Sequence, residues 1–115
     1  MKTLTLNLPM CPSSNGLFLN VPGRGRVISA IYQRWKDAAD ATLWEQKLTT
    51  FPGRVEVSIM LEDRGRFDVD NKIKAALDFV VRHAIISDDD KRVVRRITAQ
   101  IGDVKGCRIT ITELP

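Results

Sequence analysis

The sequence predicts an α+β fold, a mixed α/β arrangement in a single domain over residues 1–115, with elements in the order β-α-β-α-β-β and a small mixed sheet carrying two helices on one face. Three observations lead there. Apolar and polar residues alternate at both ends and in the middle of the chain, and two intervening stretches carry apolar residues at helical spacing. Clusters of Pro, Gly, Asn and Ser separate these periodic stretches.

Leu4, Leu6 and Leu8 alternate with Thr3, Thr5 and Asn7, the pattern of a half-buried strand, and Pro9 ends it. Cys11-Pro12-Ser13-Ser14-Asn15-Gly16 is rich in turn formers, and Pro22-Gly23-Arg24-Gly25-Arg26 reads as a second, flexible and basic loop. Either could contact phosphate. From Ser29, a suitable N-cap, to about Leu48, the residues Ile31, Tyr32, Trp35, Ala38, Ala39 and Leu43 recur at helical intervals. Trp35 and Trp44 in this stretch are read as packing residues. After Pro52-Gly53, Val55, Val57, Ile59 and Leu61 alternate with Glu56, Ser58 and Met60 in a second strand. Ile73, Ala76, Leu77, Val80, Val81 and Ala84 then trace a second helix starting near Asp70. His83, close to its C-terminus, is assigned a structural or surface role. Val93, Arg95, Ile97, Ala99 and Ile101 alternate with Val94, Arg96, Thr98 and Gln100, and Gly102 to Gly106 turn the chain into Cys107, Ile109 and Ile111, so the last two strands are expected to pair as a hairpin.

Composition narrows the function. The 115 residues suit one globular domain, and no apolar run approaches the roughly 20 residues that cross a bilayer. An alternating N-terminus lacks a signal peptide's apolar centre, so a cytoplasmic, nucleoid-associated protein without membrane partners is expected. Cys11 and Cys107 form no C-x-x-C pair, which argues against a thiolate zinc site or a disulfide framework. Net charge is +4, but setting aside Asp68, Asp70, Asp88, Asp89 and Asp90 leaves nine of the 14 acids against 18 Lys and Arg. Such a surplus favours a polyanionic partner.

Those five aspartates carry the chemistry. Asp68 and Asp70 flank one residue where strand-like sequence gives way to helix-like sequence. In an extended segment they would share a face, with α carbons roughly 6 to 7 Å apart, and could converge on a cation. Lys74 lies one helical turn beyond Asp70, where its ammonium could meet a phosphate, and Asp88-Asp89-Asp90 closes the same helix. Oxygen ligands suit Mg2+, with Mn2+ as a substitute, and carboxylates, a lysine and a basic surface together point to metal-assisted phosphodiester cleavage. Each element also has a plainer reading. Asp70 or Asn71 could cap the helix, the three later aspartates could form a solvated turn, and Lys74 could be a surface partner of Asp70.

The order and spacing of several segments resemble the RusA-type Holliday junction resolvases, small homodimeric DNA endonucleases of bacteria and their phages that serve recombination and repair. The resemblance is carried by the opening strand into Leu8-Pro9-Met10-Cys11-Pro12-Ser13-Ser14-Asn15, by Arg64-Gly65-Arg66-Phe67-Asp68-Val69-Asp70-Asn71-Lys72-Ile73-Lys74, and by Asp88-Asp89-Asp90 before Val93-Val94. It implies magnesium ligation by Asp68, Asp70 and one loop aspartate, with Lys74 assisting cleavage. Counting from Ile85-Ile86 selects Asp89 and counting back from Val93-Val94 selects Asp90; Asp89 is taken and Asp90 kept as the alternative. The resemblance also implies DNA contacts from the Ser13, Ser14 and Asn15 loop, and Asn71, Arg24, Arg26, Arg64 and Arg66 are further expected DNA contacts. The family often has proline at Cys11 and a basic residue at Phe67. Phenylalanine cannot bind phosphate as a basic side chain would, so that role falls to Arg64 and Arg66.

The expected activity is magnesium-dependent resolution of branched DNA, four-way junctions above all, by paired symmetric nicks. One chain displays one carboxylate constellation, so two symmetric cuts imply a homodimer. Two competing readings are a non-catalytic junction-binding protein, separated by metal dependence, and a small metal enzyme acting on a nucleotide-linked substrate, disfavoured by the lack of a glycine-rich phosphate loop.

Overall fold

A computed structural model describes residues 1–115. The expected strands and helices are β1 (Thr3–Leu8), α1 (Ala30–Ala41), β4 (Val55–Glu62), α2 (Ile73–Arg82), β5 (Val94–Gly102) and β6 (Cys107–Glu113), and a short ribbon, β2 (Phe18–Val21) with β3 (Gly25–Ile28), stands between β1 and α1. The main sheet has the order β1-β6-β4-β5. One face of β4, Val55, Val57, Ile59 and Leu61, is fully buried together with Ile109 and Ile111 of β6 and Leu6 of β1. Against it pack Tyr32, Trp35 and Ala39 of α1 and Ala75, Ala76, Phe79 and Val80 of α2, forming the core.

Two features anchor the helices. Ser29 Oγ accepts the Tyr32 amide at 3.0 Å, so the expected N-cap of α1 is made. Trp35 Nε1 donates to the Pro9 carbonyl at 3.1 Å, tying α1 to the end of β1. His83 sits at the end of α2 and bonds Asp40 of α1 at 2.8 Å, while the chain leaves α2 through Ala84 in a left-handed conformation at φ 57°.

Several expectations are corrected. The last two strands do not form a hairpin: β5 pairs in parallel with β4, and β6 lies on the other side of β4, antiparallel to both β4 and β1. The Gly102–Gly106 turn therefore steps across the end of β4, where the Glu62 and Gly106 backbones bond at 2.9 Å and Glu62 Oε1 accepts the Gly106 amide at 2.8 Å. The Pro22–Arg26 segment is not a flexible loop. Val21-Pro22-Gly23-Arg24 is closed by an Arg24 N–H to Val21 carbonyl bond of 3.0 Å, with Pro at the second position and Gly23 at φ 78° as a type II turn demands. The first helix stops at Ala41 rather than near Leu48; Thr42 Oγ1 donates back to the Ala39 carbonyl at 2.7 Å and a 3-10 turn, Thr42–Glu45, follows. Its apolar stripe is also narrower than expected, since Ile31 and Ala38 are exposed. Trp44, on that turn, is 92% exposed and is not a packing residue.

Candidate functional site

The crossover from β4 to β5 builds the site. Because β4 and β5 are parallel, the chain must travel the length of the sheet between them, and α2 fills that connection. Leaving β4, the chain turns through Gly65 at φ 80° and enters a 3-10 turn, Val69–Lys72, before α2 begins at Ile73. Asp68 stands just before this turn in extended conformation and Asp70 lies within it. The Asp68–Asp70 pair is thus not on one extended strand. Only Asp70 is inside the turn, so the regular strand alternation that would set the two carboxylates on one face does not run through the pair.

Neither carboxylate caps the helix. Asp68 and Lys72, the residues at the starts of the 3-10 turn and of α2, make no side-chain cap bond, and the side chains of Asp68 and Asp70 have no hydrogen-bond or ion-pair partner. Asn71 is engaged: its Oδ1 accepts from Ser14 Oγ at 3.1 Å, which seats the Ser14–Gly16 turn against the acidic turn. Two segments far apart in sequence are thereby joined at one surface.

Lys74 occupies the first turn of α2, and its partners differ from the expected one. Its Nζ lies 3.0 Å from Asp78 Oδ1 and 3.8 Å from Asp89 Oδ2, not beside Asp70. The hydrogen bond to Asp78 is the chief reason its pKa is raised, with Asp89 adding to it, so the ammonium stays charged. Asp78 also accepts from the Tyr32 hydroxyl at 3.3 Å, and burial followed by the Asp78 charge pushes that phenol up to about 12.

The later aspartates separate into different roles. Asp89 faces Lys74. Asp90 is gripped by Arg92, whose Nη2 and Nε lie 2.6 and 3.0 Å from Oδ2 while its amide reaches Oδ1 at 2.9 Å, and this grip holds the carboxyl below the usual carboxylate range. Asp88 Oδ1 accepts the Asp89 amide at 2.7 Å, which shapes the loop. No three Asp, Glu, His or Cys side chains gather around a single point in the structure. Asp89 lies toward the Lys74 ammonium, while Asp68 precedes the 3-10 turn and Asp70 lies within it.

Next to Lys74 and Asp89 opens a cleft of about 370 Å³, lined also by Phe18, Ile28, Tyr32, Lys36, Asp78, Val81 and Arg82. The β2–β3 ribbon forms one wall, and Arg26 lays its guanidinium 3.9 Å from the centre of the Phe18 ring. Arg24, Arg64 and Arg66 are exposed, and Ser13 and Ser14 are half-buried beside exposed Asn15. Asp78, Tyr32, Lys36 and Arg82 were not singled out from sequence. The signal was present in part, since Lys74, Asp78 and Arg82 recur every four residues on α2 and alternate in charge.

Comparison with known proteins identifies the family. A family pattern described as endodeoxyribonuclease RusA matches residues 8–112. The chain is 31% identical over 121 residues to the crossover junction endodeoxyribonuclease RusA of Escherichia coli strain K12, covering 99% of this chain and 98% of that protein. The RusA protein of Shigella sonnei strain Ss046 matches to the same extent, at 31%. That of Enterobacteria phage 82 is 30% identical, again over 99% of this chain and 98% of its own.

Proposed function

The chain belongs to the endodeoxyribonuclease RusA family, and on that premise we propose that it resolves four-way DNA junctions by magnesium-dependent phosphodiester hydrolysis, nicking two opposing strands symmetrically as a homodimer. It is an endonuclease, and its place is at branched DNA in the bacterial cytoplasm, in recombination and repair.

The observation that carries the reading is the acidic turn at the head of α2. In a chain with 18 Lys and Arg, Asp68 and Asp70 are left without a partner and without a capping bond, while Lys74 is aimed at Asp89 from the next turn. Some carboxylates elsewhere in the chain do find cations, Asp40 with Arg82 and His83 and Asp90 with Arg92, so it is the place of Asp68 and Asp70 at the head of α2, within a few residues of Lys74, that sets them apart. The donor chemistry fits a hard divalent cation, since Asp68, Asp70 and Asp89 offer only oxygen. These three residues would hold magnesium, with manganese as a substitute, and side-chain rotation is needed to bring them to one point. When bound, the ion supplies Lewis-acid stabilisation of phosphate charge and acidifies water.

The protein's own groups do the rest. Lys74, paired with Asp78 one turn along α2 and half-exposed, stabilises negative charge growing on the phosphate. Arg64 and Arg66 in the loop before the acidic turn, and Arg24 and Arg26 on the ribbon, bind backbone phosphates without reading sequence. Ser14 and Asn71 lock the Ser13–Asn15 turn to the acidic turn, so DNA bound at one is registered on the other. Asp89 is preferred to Asp90 as the third carboxylate because Asp90 is committed to Arg92.

The test is incubation with a labelled four-way junction and with linear duplex, each with and without magnesium. Paired nicks in the junction alone, and only with magnesium, are expected. Tight junction binding without cleavage at any magnesium concentration would instead identify a non-catalytic junction-binding protein.

A further inference from the structure

We propose that Asp78 and Tyr32 are positioning residues: the Asp78 carboxylate, anchored through one oxygen by the Tyr32 hydroxyl, holds the Lys74 ammonium with the other, so that the packing of α1 on α2 sets where that ammonium meets phosphate. This deepens the nuclease reading and rests on it for the role given to Lys74; the arrangement itself is argued from the two helices.

The two contacts use different oxygens. Lys74 Nζ lies 3.0 Å from Asp78 Oδ1, while the Tyr32 hydroxyl donates to Oδ2 at 3.3 Å. One carboxylate thus bridges a long, flexible side chain on α2 and a rigid one on α1. Tyr32 is 3% exposed, its ring meets Phe18 edge-on at 5.9 Å between centroids and stacks on Trp35 at 6.2 Å, and its own amide is capped by Ser29 Oγ. With only two side-chain torsions, both fixed by this packing, the phenol is a stationary anchor. It is also a donor at any pH near neutrality, since burial and the Asp78 charge keep its proton on up to about pH 12. Lys74, by contrast, is half-exposed and must be placed against the rotamer entropy of a lysine.

Helix stability does not account for the pair. Lys74 stands in the first turn of α2, where the helix dipole disfavours a cation, and lysine four residues before an acid is the weaker of the two orders. The opposite order would serve the helix better. The place of the pair is what gives it a use: Tyr32, Lys74, Asp78 and Asp89 line the same cleft, and Lys74 Nζ is 3.8 Å from Asp89 Oδ2. At such a point a misplacement of about 1 Å costs up to about 10²-fold in rate.

The experiment compares wild type with Asp78→Asn, which keeps the shape and removes the charge, and with Tyr32→Phe, which keeps the ring and removes the donor; thermal melting verifies folding. In the free protein, ¹⁵N relaxation of the lysine ammonium groups should show Lys74 more ordered than exposed Lys47 and Lys105, and both changes should lower its order. In single-turnover cleavage of a four-way junction, Asp78→Asn should be slower by at least about tenfold and Tyr32→Phe by at least about threefold, with affinity in calcium changed by less than about twofold. Asp78→Glu should recover part of the lost rate. Neither change should slow cleavage further in a Lys74→Ala background, because both act through that lysine. Faster cleavage or tighter binding by Asp78→Asn would make Asp78 a mere neutraliser of Lys74 and overturn the proposal, as would unchanged Lys74 order in both variants or full slowing without Lys74. The ammonium measurement needs no cleavage. A Lys74 loosened by both changes in a protein that does not cut refutes the nuclease reading alone, and a cutting protein whose rate and Lys74 order ignore both changes refutes the positioning alone.

Discussion

Replacing Lys74 with alanine separates a group that stabilises the reaction from one that merely decorates a helix. Lys74 has two carboxylate neighbours, at 3.0 and 3.8 Å, and its side chain is 52% exposed. At such separations a pair in bulk-water dielectric attracts by about 1 kcal/mol, and exposure reduces what is measured to about 0.2 to 1 kcal/mol. Asp78 keeps the Tyr32 hydroxyl as a partner after the change. The expected cost to folding is thus at most about 1 kcal/mol, a fall in Tm of no more than about 4 to 8 °C. Loss of a group that binds developing phosphate charge costs far more in rate, about 10²-fold or greater. The sign of the pH effect is set by the raised Lys74 pKa: its contribution is complete below the unfolded lysine value and is lost only as pH rises through the higher folded one, so assays near neutrality see a fully charged group. The assay is single-turnover cleavage of a four-way junction at saturating protein and magnesium, with affinity measured in calcium and stability by thermal melting. An unchanged rate would remove Lys74 from the catalytic set. A rate loss matched by an equal loss of affinity would make it a DNA-binding residue only.

Asp68→Asn and Asp70→Asn should each abolish cleavage in magnesium while shifting stability by less than about 0.5 kcal/mol, because neither carboxylate has a partner to lose; substantial nicking by either variant would unseat it as a ligand. Among the loop aspartates changed singly to Asn, Asp89→Asn should show the largest drop in cleavage, and Asp90→Asn should mainly free Arg92; the reverse order would transfer the ligand role to Asp90. Junction affinity, measured without magnesium, should fall steeply with salt, and Arg24→Ala, Arg26→Ala, Arg64→Ala and Arg66→Ala should each flatten the log–log slope by about one. A slope untouched by all four would place the phosphate contacts elsewhere.

Periodicity carried much of the fold. Alternation in Val55 to Leu61 and in Cys107 to Ile111, and helical spacing through Ile73 to Val80, each named the buried face, because a side chain's direction follows from the local backbone repeat. Ser29 was recognisable as a cap for the same reason: its hydroxyl satisfies an amide only three residues away. The acidic residues and Lys74 were legible as chemistry, and the family resemblance added their order. None of these signals contains the identity of a distant neighbour.

Tertiary structure decided the rest. The turn after Gly102 looked like a hairpin, yet β6 is separated from β5 by β4, because β4 is buried and takes a partner on each edge. Trp35 and Trp44 sit nine positions apart in one stretch with similar prospects; α1 buries the first against Phe79, and its early end leaves the second in solvent. Lys74 could turn back to Asp70 or forward to Asp78, and the 3-10 turn together with Tyr32 settled it forward. Which of three adjacent aspartates faces that lysine was likewise a matter of which one Arg92 had already claimed. By itself the sequence determined which face of each element is apolar and where the carboxylates cluster, since those depend on the local repeat. Strand neighbours and charge partners emerged only from the fold, because they are chosen by competition among groups far apart in the chain.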